Sequence, residues 1–409
     1  MTPATIGILP LPEAGHVNAT IQLGRELRRA GHQVHYLGDA RDQALFHERG
    51  VPFAVLPRRE GPFGPTYAWG ANHDAIVLVD TILIRPAIDA CLAGKRVISL
   101  SSTFPLGHDA EVPPITCDLA PATDDASRAA VDAAWQAEWQ GHRAIQEPHP
   151  HTGRPDSTLR VIGGFAGDRG WPEDRWDARA AINPIARLPE LILAPALLDL
   201  PRPAAPRRRY GGPCVDLDRR EPAFPFDWLS GDRPLVYCSF GSQAHRYPLP
   251  ELLGLLVRAA RERPELRFVI ATGGVDVPAE LVPDNALCVR HAPQIALLRR
   301  AALMLSHGGL NGIKEALTCG VPVVVLPFAW DQPGNAARIA FHGLGAAARW
   351  ADMTATRLAG IVRAVLDDAT IARRARALGE RLRDEHVRPT TAAALAELLA
   401  LPPLPGERS

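Results

Sequence analysis

Short apolar runs alternate with amphipathic stretches along most of the chain. An apolar run at 5–12 is followed at 19–31 by apolar residues near helical spacing that end at Gly31, and then by a second apolar run at 33–39. A period of about 3.6 between two short apolar runs is typical of a helix that connects two parallel strands. The beginning of the chain therefore predicts a βαβ unit.

The same alternation continues through the first hundred residues. Apolar runs at 74–80 and 96–102 flank a helix-like stretch at 82–94. Strands that are apolar on both faces and separated by helices are typical of a parallel sheet covered by helices. The first half of the chain is thus predicted to be an α/β domain.

Between 104 and 184 the pattern becomes irregular and rich in Pro and Asp. Four tryptophans fall in this region: Trp135, Trp139, Trp171 and Trp176. Two interpretations stay open, because such an insertion can line a ligand pocket or simply pack against the sheet.

A segment rich in Pro, Gly and Arg at 200–225 has no periodicity, which is typical of an interdomain linker. A second α/β series follows it. Its predicted strands are 234–242, 266–274, 301–309 and 321–329, and its predicted helices are 249–263, 294–301 and 310–320. We therefore expect a first domain over 1–205, a linker over 206–222 and a second domain over 223–409, whose last helix can return to the first domain.

Composition narrows the classes of partner. The chain has 409 residues, with Lys+Arg and Asp+Glu both at 45, so no net charge attracts nucleic acid or an anionic membrane. Its 6 cysteines are scattered singly, which suits reduced thiols, and no run is long enough for a membrane span. These features predict a cytoplasmic protein with small-molecule partners, no membrane insertion and no structural metal.

One loop-to-helix junction in the second domain collects polar groups. His307 follows a predicted strand, Gly308 and Gly309 allow close approach to a ligand, and a helix begins near Leu310 or Asn311. Free N–H groups and the positive end of the helix dipole make such a junction an anion site. The histidine can donate a hydrogen bond to a phosphate oxygen there.

Further polar residues extend this site. Glu315, one turn into the helix, can accept hydrogen bonds from ribose hydroxyls, and the pair Asp331 and Gln332 after the next strand suits sugar hydroxyls. Phosphate, ribose and sugar sites together indicate a nucleotide-sugar. Glu315 and Asp331 are accordingly expected to bond ligand and not the protein core.

Two upstream segments can complete the donor site. Gly241 and Ser242 form a turn after a strand, where an N–H and a hydroxyl can bind the same diphosphate. His291 and Gln294 offer a ring and an amide near a base pocket.

The segment "HGGLNGIKEALTCGVPVVVLPFAWDQPGNAARI", with "GILPLPEAGHVNATIQLGRELRRAGHQVHYL" near the N-terminus, resembles a known family. This family is the inverting, UDP-sugar-dependent glycosyltransferases of the GT-B fold, whose members act on plant secondary metabolites, macrolides and carotenoids. The resemblance implies two Rossmann-like domains with parallel sheets facing across a cleft. It also implies a nucleotide-sugar co-substrate without another cofactor, a small-molecule acceptor, and a monomer or homodimer.

Residue by residue, the resemblance implies that His307 and Ser242 contact the diphosphate, Glu315 the ribose, and Asp331 with Gln332 the sugar hydroxyls. The chain departs from the family at two positions. His291 stands where the family often has a tryptophan that stacks on uracil, and Gly312 stands where it often has a serine that bonds phosphate. UDP and dTDP therefore both stay open as the nucleotide.

The acceptor side requires a base, because an alcohol is a weak nucleophile until its proton is removed. His16 follows the first strand, with Asn18 as the expected N-cap of the next helix, and Asp80 at the end of a neighbouring strand is its best carboxylate partner. Asp74 and Asp89 are the other candidates. These residues predict a single displacement with inversion at the anomeric carbon.

The sequence also contains candidate metal sites and is compatible with other functions. The Asp216 to Asp218 segment resembles a metal-binding DxD but lies in the linker, and His149 with His151 lacks carboxylates or thiols at ligand spacing. A dinucleotide oxidoreductase is disfavoured because no GxGxxG follows an early strand. A nucleotide-sugar epimerase, a lipid-intermediate sugar transferase and a non-catalytic partner of another glycosyltransferase remain alternatives.

Overall fold

The computed structural model describes residues 3–61, 64–69, 75–148, 155–177, 182–241 and 246–403. The chain divides into two compact units. The first comprises 1–114, 121–214 and 388–409, and the second comprises 115–120 and 215–387. In its described parts, no helix is both long and apolar enough to cross a bilayer.

The first unit contains a seven-stranded parallel sheet in the order β11-β10-β7-β6-β1-β2-β3. Its strands, with two short hairpins, are β1 (Thr5–Leu9), β2 (Gln33–Gly38), β3 (Phe53–Val55), β4 (Arg58–Gly61), β5 (Gly64–Tyr67), β6 (Ile76–Asp80), β7 (Arg96–Ser101), β8 (Gln146–Pro148), β9 (Pro155–Ser157), β10 (Glu190–Ile192) and β11 (Arg208–Tyr210). Its helices are α1 (Ala14–Arg29), α2 (Gln43–His47), α3 (Ile84–Leu92), α4 (Asp125–Ala144) and α5 (Thr158–Asp168), joined by α12 (Thr390–Leu399) from the chain end.

Alternate residues of the central strands form two apolar cores. Leu78 packs in the cluster that contains Leu27 of α1 and Leu395 of α12. Val77 and its neighbours pack on the other side with Ile88 of α3 and Phe165 of α5. Burial on both sides explains why these strands read as continuous apolar runs.

The second unit contains a six-stranded parallel sheet in the order β14-β13-β12-β15-β16-β17. Its strands are β12 (Leu235–Ser239), β13 (Arg267–Ala271), β14 (Ala286–Val289), β15 (Ala301–Ser306), β16 (Val323–Val325) and β17 (Gly345–Ala347). Its helices are α6 (Leu249–Arg261), α7 (Gln294–Leu298), α8 (Leu310–Thr318), α9 (Gln332–Phe341), α10 (Ala355–Asp367) and α11 (Ala369–His386). The prediction of two parallel α/β sheets is confirmed.

The structure differs from the sequence-based expectation in three local features. The first helix begins at Ala14, five residues before the predicted 19, because the backbone already turns at Glu13, whose N–H donates to the Leu11 carbonyl over 2.7 Å. The irregular region 104–184 contains the 20-residue helix α4. This helix buries only Val131 and Trp135, so its sequence shows little apolar periodicity. The predicted linker contains β11, which extends the first sheet.

Two of the four tryptophans of this region serve packing. Trp135 is 7% exposed and donates its indole N–H to the Val112 carbonyl over 2.9 Å. Trp171 is equally buried and donates to the Arg175 carbonyl over 3.2 Å. Their polar edges are thus satisfied by the protein, as buried indoles require.

Candidate active site

The predicted pair His16 and Asp80 is in contact. His16 lies in the first turn of α1, Asp80 ends β6, and its Oδ2 lies 2.7 Å from His16 Nδ1. The strands β1 and β6 are adjacent and parallel, so residues at their carboxyl ends meet at one edge of the sheet. The Asp80 side chain is 2% exposed and that of His16 is 20% exposed, so the ring is the accessible member of the pair.

The Asp80 carboxylate is held in place by the backbone. Leu11 N–H donates to Oδ2 over 3.3 Å and Ile82 N–H donates to Oδ1 over 3.2 Å. Because an ionised carboxylate only accepts hydrogen bonds, it selects the imidazole tautomer that carries its proton on Nδ1. Nε2 is then the nitrogen that can accept a proton.

The alternative carboxylates do not compete for this position. Asp89 accepts hydrogen bonds from Arg169 over 2.7 Å and from the Tyr67 N–H over 3.0 Å. These bonds attach α3, which carries Asp89, to Tyr67 and Arg169. Asp74 lies outside the described residues.

Ser102 is a third member of this site that the sequence analysis missed. It follows β7, the strand beside β6, and its Oγ lies 3.0 Å from His16 Nδ1. The available signal was its place immediately after a buried strand, the same rule that selected Asp80. A hydroxyl here restrains the ring beside the carboxylate.

Asn18 is not the N-cap of α1, as the sequence analysis expected. The N-cap is Glu13, and the Asn18 side chain accepts from Arg49 Nε over 2.8 Å. The helix therefore begins before His16, whose N–H bonds the Glu13 carbonyl over 3.0 Å.

In the second unit, the His307 ring is enclosed by two glycines. A Cβ on Gly241 would lie 2.7 Å from Cε1 of this ring, and a Cβ on Gly309 would lie 2.5 Å from Nε2. Gly308, with φ +95°, has no room for a side chain either, because its Cβ would lie 2.6 Å from Val325. These close approaches explain physically why glycines surround the histidine.

The enclosed imidazole is neutral at physiological pH. Burial lowers the pKa of His307 from 6.5 to about 4, although a backbone hydrogen bond with Ser239 opposes the shift. Among the described residues, the buried Nδ1 meets no hydrogen-bond partner. A neutral ring has one N–H, so it can donate to an anion without carrying charge only when that N–H is not used by the Ser239 carbonyl.

The helix that follows begins as the sequence predicted. Gly309 is the N-cap of α8, no side chain caps it, and Asn311 and Gly312 lie half-buried in the first turn. A first helical turn leaves backbone N–H groups that an anion can use.

Glu315 is held by the protein, contrary to the expectation that its carboxylate is left for a ligand. Arg219 forms a bidentate ion pair with both of its oxygens, and Gln294 Nε2 donates to Oε2 over 2.5 Å. Gln294 in turn accepts from the Tyr237 hydroxyl over 3.1 Å. Glu315 and Gln294 are thus neighbours in one polar network, and their contacts to ribose and base stay predictions.

Arg219 is the second residue that the sequence analysis missed, because it lies in the segment interpreted as a solvated linker. Burial alone would lower the pKa of its guanidinium, but the hydrogen bonds to Glu315 raise it overall. Glu221, 3.5 Å from Arg219 Nε, accepts from the N–H groups of Ile295 and Ala296 at the start of α7. The segment therefore joins two helices of the donor-side unit.

Asp331 and Gln332 both lie after β16, but their side chains differ in burial and in hydrogen-bond partners. Gln332 is 3% exposed, and its amide serves the loop before it, where Oε1 accepts from the N–H groups of Phe328 and Ala329. Asp331 is half-buried and accepts from Asn335 over 3.0 Å. Gln332 fixes the loop, which the sequence did not anticipate, and the sugar contacts of both residues stay predictions.

Of the remaining predicted residues, some lie in the described part of the chain and others do not. Gly241 follows β12 with φ +77°, and Ser242 lies outside the described residues. His291 is exposed in the loop before α7. His149 and His151 also fall outside the described residues, and no group of three potential metal-ligating side chains occurs among the described ones.

Together, the two parallel α/β units, the His16–Asp80 pair and the glycine-enclosed His307 before a helix define a glycosyltransferase of the GT-B fold. The family model of UDP-glucoronosyl and UDP-glucosyl transferase matches residues 190–395. The chain belongs to this family.

Named relatives and solved structures agree with this assignment. The oleandomycin glycosyltransferase of Streptomyces antibioticus is 28% identical over 409 residues, covering 94% of this chain and 88% of that protein. The zeaxanthin glucosyltransferase of Pantoea ananas is 25% identical over 376 residues, covering 82% of each chain. The crystal structure of the glycotransferase of kitacinnamycin has a TM-score of 0.73 at 23% identity, covering 98% of this chain and 100% of that one, and so shares the fold.

Proposed function

We propose that this enzyme transfers a hexose from UDP or dTDP to a hydroxyl of a lipophilic natural product, with inversion at the anomeric carbon and with His16 as the base. The observation that carries the proposal is the 2.7 Å contact between His16 Nδ1 and the buried Asp80. With the Nδ1 proton directed at Asp80, Nε2 of this partly exposed ring is the nitrogen that we assign to accept the proton.

The reaction is a single displacement. As the acceptor oxygen approaches the anomeric carbon, its proton moves to His16 Nε2, the new C–O bond forms, and the bond from the anomeric carbon to the phosphate oxygen breaks. Asp80 stabilises the imidazolium that results and keeps the ring oriented. Attack opposite the leaving group converts an α-linked donor into a β-glycoside.

The departing diphosphate gains negative charge, which the second unit is suited to stabilise. The neutral His307 donates a hydrogen bond and the first turn of α8 offers N–H groups. These donors take the part that a divalent cation has in other phosphate sites, so the proposed reaction is independent of metal.

The acceptor class rests on the relatives. The names of two of them specify oleandomycin and zeaxanthin, a macrolide and a carotenoid, which are large, mainly apolar molecules with hydroxyl groups. We infer an acceptor of this chemical kind, with polyketides, macrolides, carotenoids and phenols as the candidates.

The experiment is a matrix of UDP- and dTDP-sugars against hydroxylated aglycones of these four classes, analysed by mass. We expect a mass gain of one hexosyl residue for at least one pair, unchanged by a chelator. A product of α configuration, or turnover lost on chelation and restored by Mg²⁺, would contradict the mechanism. Epimerised donor without glycoside would instead support the epimerase alternative.

A further inference from the structure

Trp330 combines an exposed ring with a strained backbone. Its side chain is 67% exposed and its φ is +60°, a left-handed conformation that is costly for a residue with a bulky side chain. Residues persist in such conformations when the surrounding structure over-determines them, and they cluster at ligand sites.

The loop around Trp330 is clamped by Gln332. Its Oε1 accepts from the N–H groups of Phe328 and Ala329 over 2.8 and 3.1 Å, and its Nε2 donates to the Tyr247 hydroxyl over 2.7 Å. The Phe328 ring stacks on Tyr247 with centroids 4.7 Å apart and planes 14° apart. The turn is thus rigid on both sides of Trp330.

The same clamp connects this loop with the anion site. The Tyr247 ring that Gln332 and Phe328 contact lies 5.8 Å from the His307 ring. Both loops follow adjacent parallel strands, β15 and β16, so they emerge at the same edge of the sheet. The loop that carries Trp330 is therefore connected through Tyr247 to the loop where the diphosphate of a donor would bind.

We propose that the indole of Trp330 packs against the C–H face of the hexosyl group of the nucleotide-sugar and so determines affinity for the sugar rather than for the nucleotide. A hexose has one face of C–H groups that suits an aromatic ring, while its hydroxyls suit Asp331 next in the chain. This assignment rests on the proposed donor site. It adds a residue whose ring serves the sugar alone.

The test distinguishes the effect of the Trp330 ring on binding from the effect of its strained backbone on stability. Asparagine tolerates a left-handed conformation, so Trp330→Asn relieves the strain while removing the ring, and Trp330→Phe keeps an aromatic face. Arg187 is an exposed residue with φ +69° in the first unit, so Arg187→Asn is the control for strain relief, together with the loss of its exposed ion pair with Asp174. Melting temperature, the Kd of UDP and the KM of UDP-glucose are measured for each variant.

We expect both asparagine variants to melt a few degrees higher than the wild type. Trp330→Asn should raise the KM of UDP-glucose roughly tenfold with UDP affinity unchanged, Trp330→Phe should recover most of this loss, and Arg187→Asn should change neither constant. If dTDP-glucose is the active donor, the same comparison uses dTDP-glucose and dTDP.

Three results would overturn the inference: an unchanged KM for the sugar donor in Trp330→Asn, an equal loss of UDP affinity, or a change confined to the KM of the acceptor. Failure of the proposed function is distinguishable, because the wild type itself would then neither bind UDP or dTDP nor transfer sugar.

Discussion

Arg219 and Glu315 form a bidentate ion pair, in which Arg219 Nη2 lies 3.0 Å from Oε2 and Nη1 contacts Oε1. With Gln294 on Oε2 as well, three of the about four acceptor positions of the carboxylate are occupied. Within the described part of the chain, no donor fills the remaining position on Oε1. The arginine thus orients the carboxylate that the family resemblance assigns to ribose.

Replacing Arg219 should therefore weaken nucleotide binding. In Arg219→Gln the two guanidinium hydrogen bonds are lost and Glu315 is left as a buried charge without its cation. Because hydrogen bonds to charged groups contribute about 1.5–3 kcal/mol each, we expect the Kd of UDP to rise about 10- to 100-fold by calorimetry. Arg220→Gln is the control, because Arg220 is the exposed neighbour. Tighter binding in Arg219→Gln would mean that the arginine occupies the place of the ribose.

The glycines around His307 predict a steric effect. In Gly309→Ala the new Cβ would lie 2.5 Å from Nε2 of the ring, so the imidazole must move away from the α8 N-terminus. We expect UDP affinity to fall about tenfold, as for the loss of one hydrogen bond to a charged group. Gly360→Ala in α10 meets no atom within 4 Å and should stabilise the fold by about 0.5–1 kcal/mol without changing binding. Equal binding in both variants would remove His307 from the donor site.

A serine at position 312 is expected to strengthen UDP binding. A Cβ there would meet Met304 at 3.4 Å and Gln294 Nε2 at 4.0 Å, which is ordinary contact, so a serine fits. Gly312→Ser should tighten UDP binding about 2- to 10-fold through one added hydroxyl hydrogen bond, whereas Gly312→Ala should not. Serine and alanine variants with the same Kd would show that no phosphate lies within reach of this turn.

His307 also predicts how stability depends on pH. Its pKa is about 4 in the folded protein against 6.5 as the ordinary value, so between these pH values the unfolded chain binds more protons. The free energy of unfolding should therefore fall as the pH drops from 6.5 to 4. In denaturant titrations at several pH values, the part of this fall in the free energy of unfolding that comes from His307 should be missing in His307→Gln. A wild-type slope that is unchanged by the substitution would place the acid sensitivity elsewhere.

The sequence predicted the sheets and the His16–Asp80 contact because both follow from local patterns. Buried parallel strands produce apolar runs, and polar residues directly after such strands converge at one sheet edge. His16 and Asp80 are 64 positions apart, yet the adjacency of β1 and β6 was enough to pair them.

The partners within the polar network could not be predicted in the same way. Arg219 reaches Glu315 across 96 positions from a segment without periodicity, and nothing in its composition separates it from the exposed Arg220. Gln332 was assigned to a ligand because an amide after a strand suits either a ligand or a loop. The role of the amide depends on where Phe328 and Tyr247 lie in the folded chain, which the sequence pattern does not specify.

The measurement that tests the central proposal most directly is turnover and UDP affinity of His16→Ala with an aliphatic alcohol acceptor at saturating donor. We expect a rate loss of about 10²- to 10⁴-fold, the usual contribution of a positioned general base, with the Kd of UDP nearly unchanged. Asp80→Asn and Ser102→Ala should lose less, because an imidazole remains, and a phenol acceptor should be less sensitive because it ionises more readily. A His16→Ala enzyme that no longer binds UDP but keeps its rate at saturating donor would contradict the assignment of His16 as the base.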